Sequence, residues 1–185
     1  MKRIVFPALL LGVCFTSLTA KAQTTATNGL SVDLAAIASI TITAPATVMP
    51  AFSTAAIYQA TGGSTLAVPD LLAVTASKAF VINAYSTDLT SGASPDAAHT
   101  ISAAGIRVLA SAGTTGTVPS STYAGVDLNT TATNGGQTII TATEGTVGGT
   151  YSVTYTLGGS ATRAPMFLNK APGTYTATVT YTIVP

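Results

Sequence analysis

An unbroken alternation of apolar and hydroxyl side chains is found in Tyr151-Ser-Val-Thr-Tyr-Thr-Leu157 and again in Tyr175-Thr-Ala-Thr-Val-Thr-Tyr-Thr-Ile183. Successive side chains of a β-strand point to opposite faces, so this period of two predicts two strands, each with one buried face. A slip of one residue would expose the apolar face, so the register is strongly specified. The predicted core residues are Tyr151, Val153, Tyr155, Leu157, Tyr175, Val179, Tyr181 and Ile183.

The rest of the chain shows apolar runs that are interrupted about every ten residues by Gly, Pro, Asn or Ser, which is typical of a sandwich or barrel. We therefore predict an all-β fold, an immunoglobulin-like antiparallel β-sandwich preceded by a signal-peptide helix. Gly158–Pro172 is long for a hairpin loop, and we expect it to hold a short edge strand or to cross between sheets. The predicted strands are Leu30–Leu34, Ala38–Thr43, Leu66–Ala76 (broken by Pro69), Ala79–Ser86, Ile106–Ala110, Val126–Asn129, Gln137–Ala142, Thr150–Leu157 and Gly173–Val184.

The first 22 residues have the pattern of a secretion signal. Two basic residues precede the apolar run Ile4–Phe15, and Ala20 and Ala22 form an A-x-A cleavage pattern. The run is shorter than the roughly 20 residues that span a bilayer. We predict a signal peptide over 1–22, a single β-sandwich domain over 23–185 and no transmembrane segment after cleavage. The exported domain is expected in the periplasm, on the cell surface or outside the cell.

Composition excludes several classes of function. Of 185 residues, 47% are hydrophobic and 7% charged, with 7 Lys+Arg against 6 Asp+Glu, which argues against a nucleic-acid binder with a basic patch. The one cysteine, Cys14, lies in the predicted signal, so the exported domain is expected to have no thiol and no disulfide. A zinc site needs three or four ligands of the Cys, His or acidic type. One histidine and no exported cysteine therefore predict no metal and no cofactor.

Enzymatic chemistry has few candidate residues. His99 is the only histidine, and a Ser-His-Asp triad could draw on Ser94, Asp96 or Ser102. However, the segment from Ser86 to His99 is predicted to be a loop of small residues, and no Gly-x-Ser-x-Gly motif occurs. The six acidic residues are isolated, so nothing marks a glycosidase pair. We predict that the protein is not an enzyme and has no catalytic residues.

The second alternating segment also suggests a contact surface. Its hydroxyl face would place five threonines in one row, about 6.6–6.8 Å apart, suited to a glycan, ice or another subunit. A simpler interpretation is that threonine is a good strand residue on a hydrated face. The candidate contact residues are Thr174, Thr176, Thr178, Thr180 and Thr182.

The last residues of the chain resemble a known family. The ending Ala171-Pro-Gly-Thr-Tyr-Thr-Ala-Thr-Val-Thr-Tyr-Thr-Ile-Val-Pro185 is similar to the C-terminal motif of WxL-type cell-wall-binding domains, Gly-Thr-Tyr-x-Ala-x-Leu-Thr-Trp-x-Leu. Tyr181 stands where that family has its tryptophan, and Ile183 stands where it has leucine. In overall style the chain also resembles small exported bacterial surface proteins of the fimbrial-subunit type.

These features predict a non-enzymatic exported protein of the cell envelope or surface with a structural or adhesive role. Its expected partners are other envelope or surface proteins, cell-wall glycan, or copies of itself. One alternative is a fimbrial or filament subunit in which Gln23–Leu34 is exchanged into a neighbouring copy. Another is a peptidoglycan or carbohydrate-binding module, which would need exposed aromatic rings, and its candidates are Tyr58, Tyr85, Tyr123 and Phe167.

Overall fold

A computed structural model describes residues 31–43, 49, 51–92 and 97–185. The predicted signal peptide, its helix and Leu30 lie outside the described residues. The chain divides into the units Met1–Leu34 and Ala35–Pro185, and every described strand lies in the second unit. The strands are β1 (Ala38–Ile42), β2 (Ser64–Ala76), β3 (Phe80–Ser86), β4 (Leu89–Ser91), β5 (Thr100–Ile101), β6 (Ile106–Ala112), β7 (Ser121–Tyr123), β8 (Gly125–Asp127), β9 (Gln137–Ala142), β10 (Thr146–Leu157), β11 (Tyr175–Thr176) and β12 (Val179–Val184).

Helical structure in the described residues is limited to short 3₁₀ segments. They are Ala55–Tyr58, Ala103–Gly105, Thr133–Gly135 and Ala164–Phe167. None of the helices described is both long and apolar enough to cross a membrane.

The strands form antiparallel sheets. The five-stranded sheet has the order β1-β2-β10-β6-β8, and the four-stranded sheet has the order β12-β3-β9-β7. A small third sheet has the order β11-β4-β5. The two larger sheets are connected on one side by the chain itself, because β7 and β8 belong to different sheets and only Ala124 separates them.

The core lies between the two larger sheets. Inward side chains of β2, β6 and β10 pack against those of β3 and β9, and Phe80 meets Tyr151 edge to face at 6.3 Å between ring centroids. Each fully buried apolar side chain contributes about 1.5–3 kcal/mol. The prediction of antiparallel sheets packed against each other is confirmed. The largest fully buried apolar residues are Tyr151, Phe80, Leu72, Ile82, Leu128, Ile139, Ile140, Val74, Val108 and Val153.

Most predicted strands are present, with shifts at their ends. The bounds of β9 match the predicted Gln137–Ala142, and β10 begins earlier than the predicted Thr150. The described residues Ser31–Leu34 are in no strand, so that part of the Leu30–Leu34 prediction is wrong. Gly158–Pro172 contains a 3₁₀ segment and no strand, and it carries the chain from the five-stranded sheet to β11.

The expected break at Pro69 takes the form of a local shift in pairing. Strand β2 continues through Pro69, but its register against β10 changes between the residues opposite Tyr151 and Val153. Proline has no N–H to donate to a ladder, so a bulge suits it. The next residue, Asp70, has a left-handed backbone with φ of 49°, a conformation that aspartate tolerates better than most side chains.

Candidate contact surfaces

The outer side of the five-stranded sheet carries many small hydroxyl side chains, which we call the hydroxyl face. Pairing registers place each of them on the side opposite the buried residues of its strand. Thr65 and Thr156, which lie directly opposite each other, have hydroxyl oxygens 3.4 Å apart. The hydroxyl face consists of Ser39, Thr41, Thr65, Thr75, Ser111, Ser152, Thr154 and Thr156.

The hydroxyl face also contains three apolar side chains, Ala67, Ala73 and Leu109, and little charge. Leu109 of β6 lies opposite Thr154 of β10 and is 45% exposed.

An ion-pair cluster lies at the edge of the sheet formed by β8. Asp127 forms an ion pair with Arg107 at 3.4 Å and a shorter one with Arg163 at 2.7 Å. Arg163 is buried, and its Nε also donates to the Gly158 carbonyl at 2.8 Å. Because a buried charge is tolerated only when it is paired, this cluster serves to fix the loop after β10.

Asp70 anchors the bulge of β2 to two other segments. Its carboxylate accepts from the Thr114 backbone N–H at 2.7 Å and from the Thr150 hydroxyl at 2.6 Å, and also from the Thr114 hydroxyl. These hydrogen bonds, led by that of the Thr114 side chain, lower the pKa of Asp70. A Cβ at Gly113 would overlap both the Asp70 carboxylate and the Thr150 hydroxyl, so glycine is needed for this close approach.

The second surface is an incompletely closed side of the sandwich, which we call the open seam. It lies between β1 and β12, which contact each other but belong to different sheets, and each is the last strand of its sheet in the described residues. Their inward side chains are Ile40 and Ile42 of β1 and Val179, Tyr181 and Ile183 of β12.

Side chains at the open seam are much less buried than their neighbours one strand further in. Tyr181 and Ile183 are half-buried, whereas Ala84 and Ile82, directly opposite them in β3, are fully buried. Ile42 is 55% exposed although its partner in β2 is fully buried. The core therefore reaches the surface along this seam.

A hydrogen bond between tyrosines joins the two sheets beside the seam. The hydroxyls of Tyr155 in β10 and Tyr181 in β12 are 2.5 Å apart. Burial raises the pKa of both groups, and the neighbouring Tyr155 raises that of Tyr181 further. Tyr181, which stands where the WxL motif has tryptophan, is thus directed into the sandwich.

The predicted core residues fall into two groups. Tyr151, Val153, Tyr155 and Leu157 are buried in β10. Tyr175, Val179, Tyr181 and Ile183 are half-buried and pack against the core from β11 and β12.

The predicted threonine row is not formed as one strand, because the segment is divided between two sheets. Thr176 lies in β11, which pairs with β4, whereas Thr180 and Thr182 lie in β12, which pairs with β3. Thr174, Thr176 and Thr178 are exposed, but Thr180 and Thr182 are half-buried. Gly135 packs so closely on Thr182 that a Cβ there would overlap it. The expectation of a single flat row is corrected, since its members do not share one pleated face.

Two of the residues considered for catalysis, His99 and Ser102, lie within the described ranges. Ser94 and Asp96 lie outside the described residues, and the Ser102 hydroxyl accepts from the Ala104 N–H at 3.3 Å as a helix cap. His99 is half-buried, and its carbonyl accepts from the Ser91 N–H. Across the described ranges, no group of three or more His, Cys, Asp or Glu side chains comes together.

A shallow depression lies between the ends of β2 and β9. Among its described lining residues, which include Ser77, Thr117 and Val147, the only titratable side chain is Glu144. One carboxylate without a charged partner gives this depression no pair for acid–base work.

The aromatic residues considered for glycan binding differ in their surroundings. Phe167 is buried and stacks on Phe52 at 4.8 Å between ring centroids, and Phe52 meets Tyr58 edge to face. Tyr58, Tyr85 and Tyr123 are half-buried. Phe52, Tyr58 and Tyr123 pack against the core, whereas Tyr85 lies in β3 on the face opposite the buried Ala84 and Ser86.

Comparison of the chain with protein-family models and with curated proteins finds no match. The resemblance to the WxL-type ending and to fimbrial-subunit-like proteins therefore stays a prediction.

Sequence reasoning missed both surfaces described above. The hydroxyl face combines residues of β1, β2, β6 and β10, whose order in the sheet differs from their order in the chain. The signal that was available is the outward half of each alternation, such as Ser152, Thr154 and Thr156. The open seam could be found only from the pairing of β12, because an edge strand and a central strand can share the same alternation.

Proposed function

We propose that the exported domain is a non-enzymatic protein of the cell envelope or cell surface, folded as an immunoglobulin-like β-sandwich, with a structural or adhesive role. The observation that carries this proposal is the hydroxyl face. It draws on β1, β2, β6 and β10, which are four of the five strands of the sheet. Its location would be the periplasm, the outer surface or the medium.

The chemistry of the hydroxyl face suits contact with a polar, uncharged partner. Each hydroxyl both donates and accepts a hydrogen bond, so the face can match the hydroxyls of a glycan or the backbone groups of a protein. Within the five strands, the charged residues are Asp70, Arg107 and Asp127, and each already has hydrogen-bond partners. Binding would therefore not require an unpaired charge to lose its water, which is the costly step in burying a polar surface.

Sedimentation with purified cell envelopes tests this proposal. The unmodified protein is expected to pellet with envelopes, and Leu109→Arg with Thr154→Arg should reduce the bound fraction at least several-fold by placing charge in the hydroxyl face. Thr141→Arg, on the exposed side of β9 in the other sheet, is the matched control and should bind normally. Failure of the unmodified protein to pellet, or equal loss with the control, would contradict the proposal.

A parallel sedimentation with purified peptidoglycan and other polysaccharides distinguishes the kinds of partner. Pelleting with a polysaccharide that is lost in the Leu109→Arg and Thr154→Arg variant would assign the face to a glycan. Pelleting with whole envelopes but with no polysaccharide would favour a protein partner and exclude the carbohydrate-binding alternative.

A second candidate function, a filament subunit assembled by strand exchange, is favoured by the open seam. Unpaired sheet edges are templates for another strand, and natural proteins usually protect them with charge. Strand β12 and the segment Gly173–Pro185 around it contain no charged residue. Size-exclusion chromatography of the mature protein with and without residues 23–34 tests this function. We expect assemblies only for the intact protein, and a monomer in both cases would exclude it.

A further inference from the structure

We infer that Arg107 and the two threonines beside it bind the carboxylate groups of an acidic polysaccharide. We call Arg107, Thr156 and Thr65 the carboxylate site, and they lie side by side on the outer face of β6, β10 and β2. This inference rests on the function proposed for the hydroxyl face and names a class of partner. The uncharged hydroxyls of the polymer would lie on the hydroxyl face, and its acidic groups would lie at Arg107.

Arg107 belongs to a cluster that has more positive than negative charge. The carboxylate of Asp127 pairs with two guanidinium groups, at 2.7 Å from Arg163 and at 3.4 Å from Arg107. Arg163 is buried and is paired by this carboxylate and by the Gly158 carbonyl. Asp127 therefore neutralises mainly Arg163, so that Arg107 has only a distant counter-charge in the described part of the chain.

The guanidinium of Arg107 is accessible and has hydrogen-bond donors to spare. Its side chain is 41% exposed, and a guanidinium has five N–H donors. In the described residues these donors make one hydrogen bond, the long one to Asp127. Two N–H groups of a guanidinium match the two oxygens of a carboxylate, and such bidentate pairs are among the stronger hydrogen bonds in proteins. Arg107 can therefore bind a carboxylate from another molecule.

Gly125 of β8 leaves space for this guanidinium. A Cβ on Gly125 would lie 2.5 Å from Nη2 of Arg107, which is closer than non-bonded atoms approach each other. The φ of Gly125 is outside the left-handed region, so the backbone itself does not require glycine here. The missing side chain instead allows Arg107 to lie against the backbone of β8, at the margin of the hydroxyl face.

Two threonines extend the site across the sheet. Thr156 lies opposite Arg107 on one side and opposite Thr65 on the other. Adjacent strands are about 4.7–4.9 Å apart, so the row from Arg107 to Thr65 is about 10 Å long. Threonine hydroxyls both donate and accept hydrogen bonds, and sugar hydroxyls do the same. A polysaccharide bound at Arg107 can therefore place its own hydroxyls against both threonines, which an acidic polypeptide without hydroxyls cannot do.

Isothermal titration calorimetry of the purified protein with polygalacturonate tests the inference. This polymer has a carboxylate on each sugar, and its methyl ester has the same backbone without the charge. The unmodified protein should bind polygalacturonate more tightly than the methyl ester by about tenfold or more. Arg107→Gln should lower the affinity for polygalacturonate by a similar factor. Arg107→Lys, which keeps the charge but not the planar guanidinium, should lower it less.

Lys78→Gln is the matched control, because it removes one exposed positive charge at a distance from Arg107. Lys78 follows the end of β2 at Ala76, whereas Thr65 lies near the start of that strand. This variant should bind polygalacturonate like the unmodified protein. Equal losses with Lys78→Gln and Arg107→Gln, or equal binding of the methyl ester, would overturn the inference.

The melting temperature of Arg107→Gln shows whether its loss of binding reflects loss of structure. Asp127 keeps its shorter ion pair with the buried Arg163 in this variant. We therefore expect the melting temperature to stay close to that of the unmodified protein. A folded Arg107→Gln variant that binds polygalacturonate normally would overturn the inference.

Poly-glutamate separates recognition of a polysaccharide from attraction to any acidic polymer. It should bind at least several-fold more weakly than polygalacturonate, because it has carboxylates but no hydroxyls. Thr156→Val should lower the affinity for polygalacturonate several-fold and leave that for poly-glutamate nearly unchanged. Equal affinity of the unmodified protein for the two polymers would overturn the assignment to a polysaccharide.

Two outcomes separate this inference from the function on which it rests. If the Leu109→Arg and Thr154→Arg variant loses envelope binding but polygalacturonate is not bound, the hydroxyl face stands and the carboxylate site fails. If Arg107→Gln loses polygalacturonate binding although the unmodified protein does not pellet with envelopes, the carboxylate site stands and the envelope function fails.

Discussion

Strand β10 and the terminal segment Tyr175–Val184 carry nearly the same alternation but occupy different surroundings. Strand β10 lies in the middle of the five-stranded sheet and pairs on both sides, with β2 and with β6. The terminal segment is divided between two sheets, and its longer part, β12, pairs only with β3 among the described strands. Alternation therefore determines which side chains face inward, whereas the number of neighbouring strands determines how completely they are buried.

The largest expected effect comes from placing a charge on the inward face of β10, compared with the same change on the inward face of β12. Val153→Asp should unfold the domain, because Val153 is fully buried and an unpaired buried charge costs several kcal/mol of a total stability of about 5–15 kcal/mol. Val179→Asp, at a half-buried position of the edge strand, should cost about 1–3 kcal/mol and leave a folded domain.

Chemical denaturation followed by circular dichroism measures both variants. Thr180→Asp, on the opposite face of β12, serves as the control and should change stability by less than about 1 kcal/mol. Equal destabilisation by Val153→Asp and Val179→Asp would show that β12 is as enclosed as β10.

The tyrosine hydroxyls of β10 offer a finer comparison. Tyr155→Phe should lower the free energy of unfolding by about 1–3 kcal/mol, because it leaves the Tyr181 hydroxyl without its bond to the other sheet. Tyr151→Phe should be neutral or stabilising, since the buried Tyr151 hydroxyl has no hydrogen-bond partner of normal geometry among the described residues.

A double-mutant cycle completes this test. Tyr155→Phe combined with Tyr181→Phe should cost less than the sum of the two single changes, because both remove the same hydrogen bond. Additive costs would mean that this hydrogen bond does not join the sheets in solution.

The smallest expected effect concerns the anchor of β10 at Asp70. Asp70→Asn should lower the melting temperature at pH 7, because the carboxylate accepts hydrogen bonds from Thr114 and Thr150. The pKa of Asp70 is lowered in the folded protein. Its stabilising contribution is therefore present above the unfolded pKa of about 3.9 and is lost as the pH falls through the folded value.

The pH dependence of melting checks this contribution. The difference in melting temperature between the unmodified protein and Asp70→Asn should become smaller below about pH 4. Asp33→Asn, at an exposed position outside the described strands, should melt like the unmodified protein throughout. If the melting temperatures of the unmodified protein and Asp70→Asn differ by the same amount from pH 7 to pH 3, the ionised Asp70 carboxylate does not stabilise the fold.

Local patterns predicted the long strands well, because the alternation of apolar and polar residues is a property of each strand's own sequence. The bounds of β9 were predicted correctly, and the inward face of β10 is the one that its alternation indicates. The short strands β4, β5 and β7 were missed, since two or three residues are too few for a period. The start of β10 was missed because Gly148–Gly149 favours a turn.

The surfaces were harder to predict than the strands, for a physical reason. Neither the division of the terminal segment at Ala177–Thr178 nor the edge position of β12 is a local property. Each depends on which distant strand pairs with the segment: Ser86 lies opposite Val179, and Ser91 lies opposite Tyr175. A single sequence indicates which side chains of a strand share a face, but it does not indicate which other strands pair with that strand.

Hydrogen–deuterium exchange of the purified protein measures most directly whether β10 is enclosed and β12 is an open edge. In dilute solution, the amides of Tyr151–Leu157 should exchange only on global unfolding, while those of Val179–Val184 that do not pair with β3 should exchange rapidly. Slow exchange of all Val179–Val184 amides in the dilute monomer, equal to that of Tyr151–Leu157, would contradict the account.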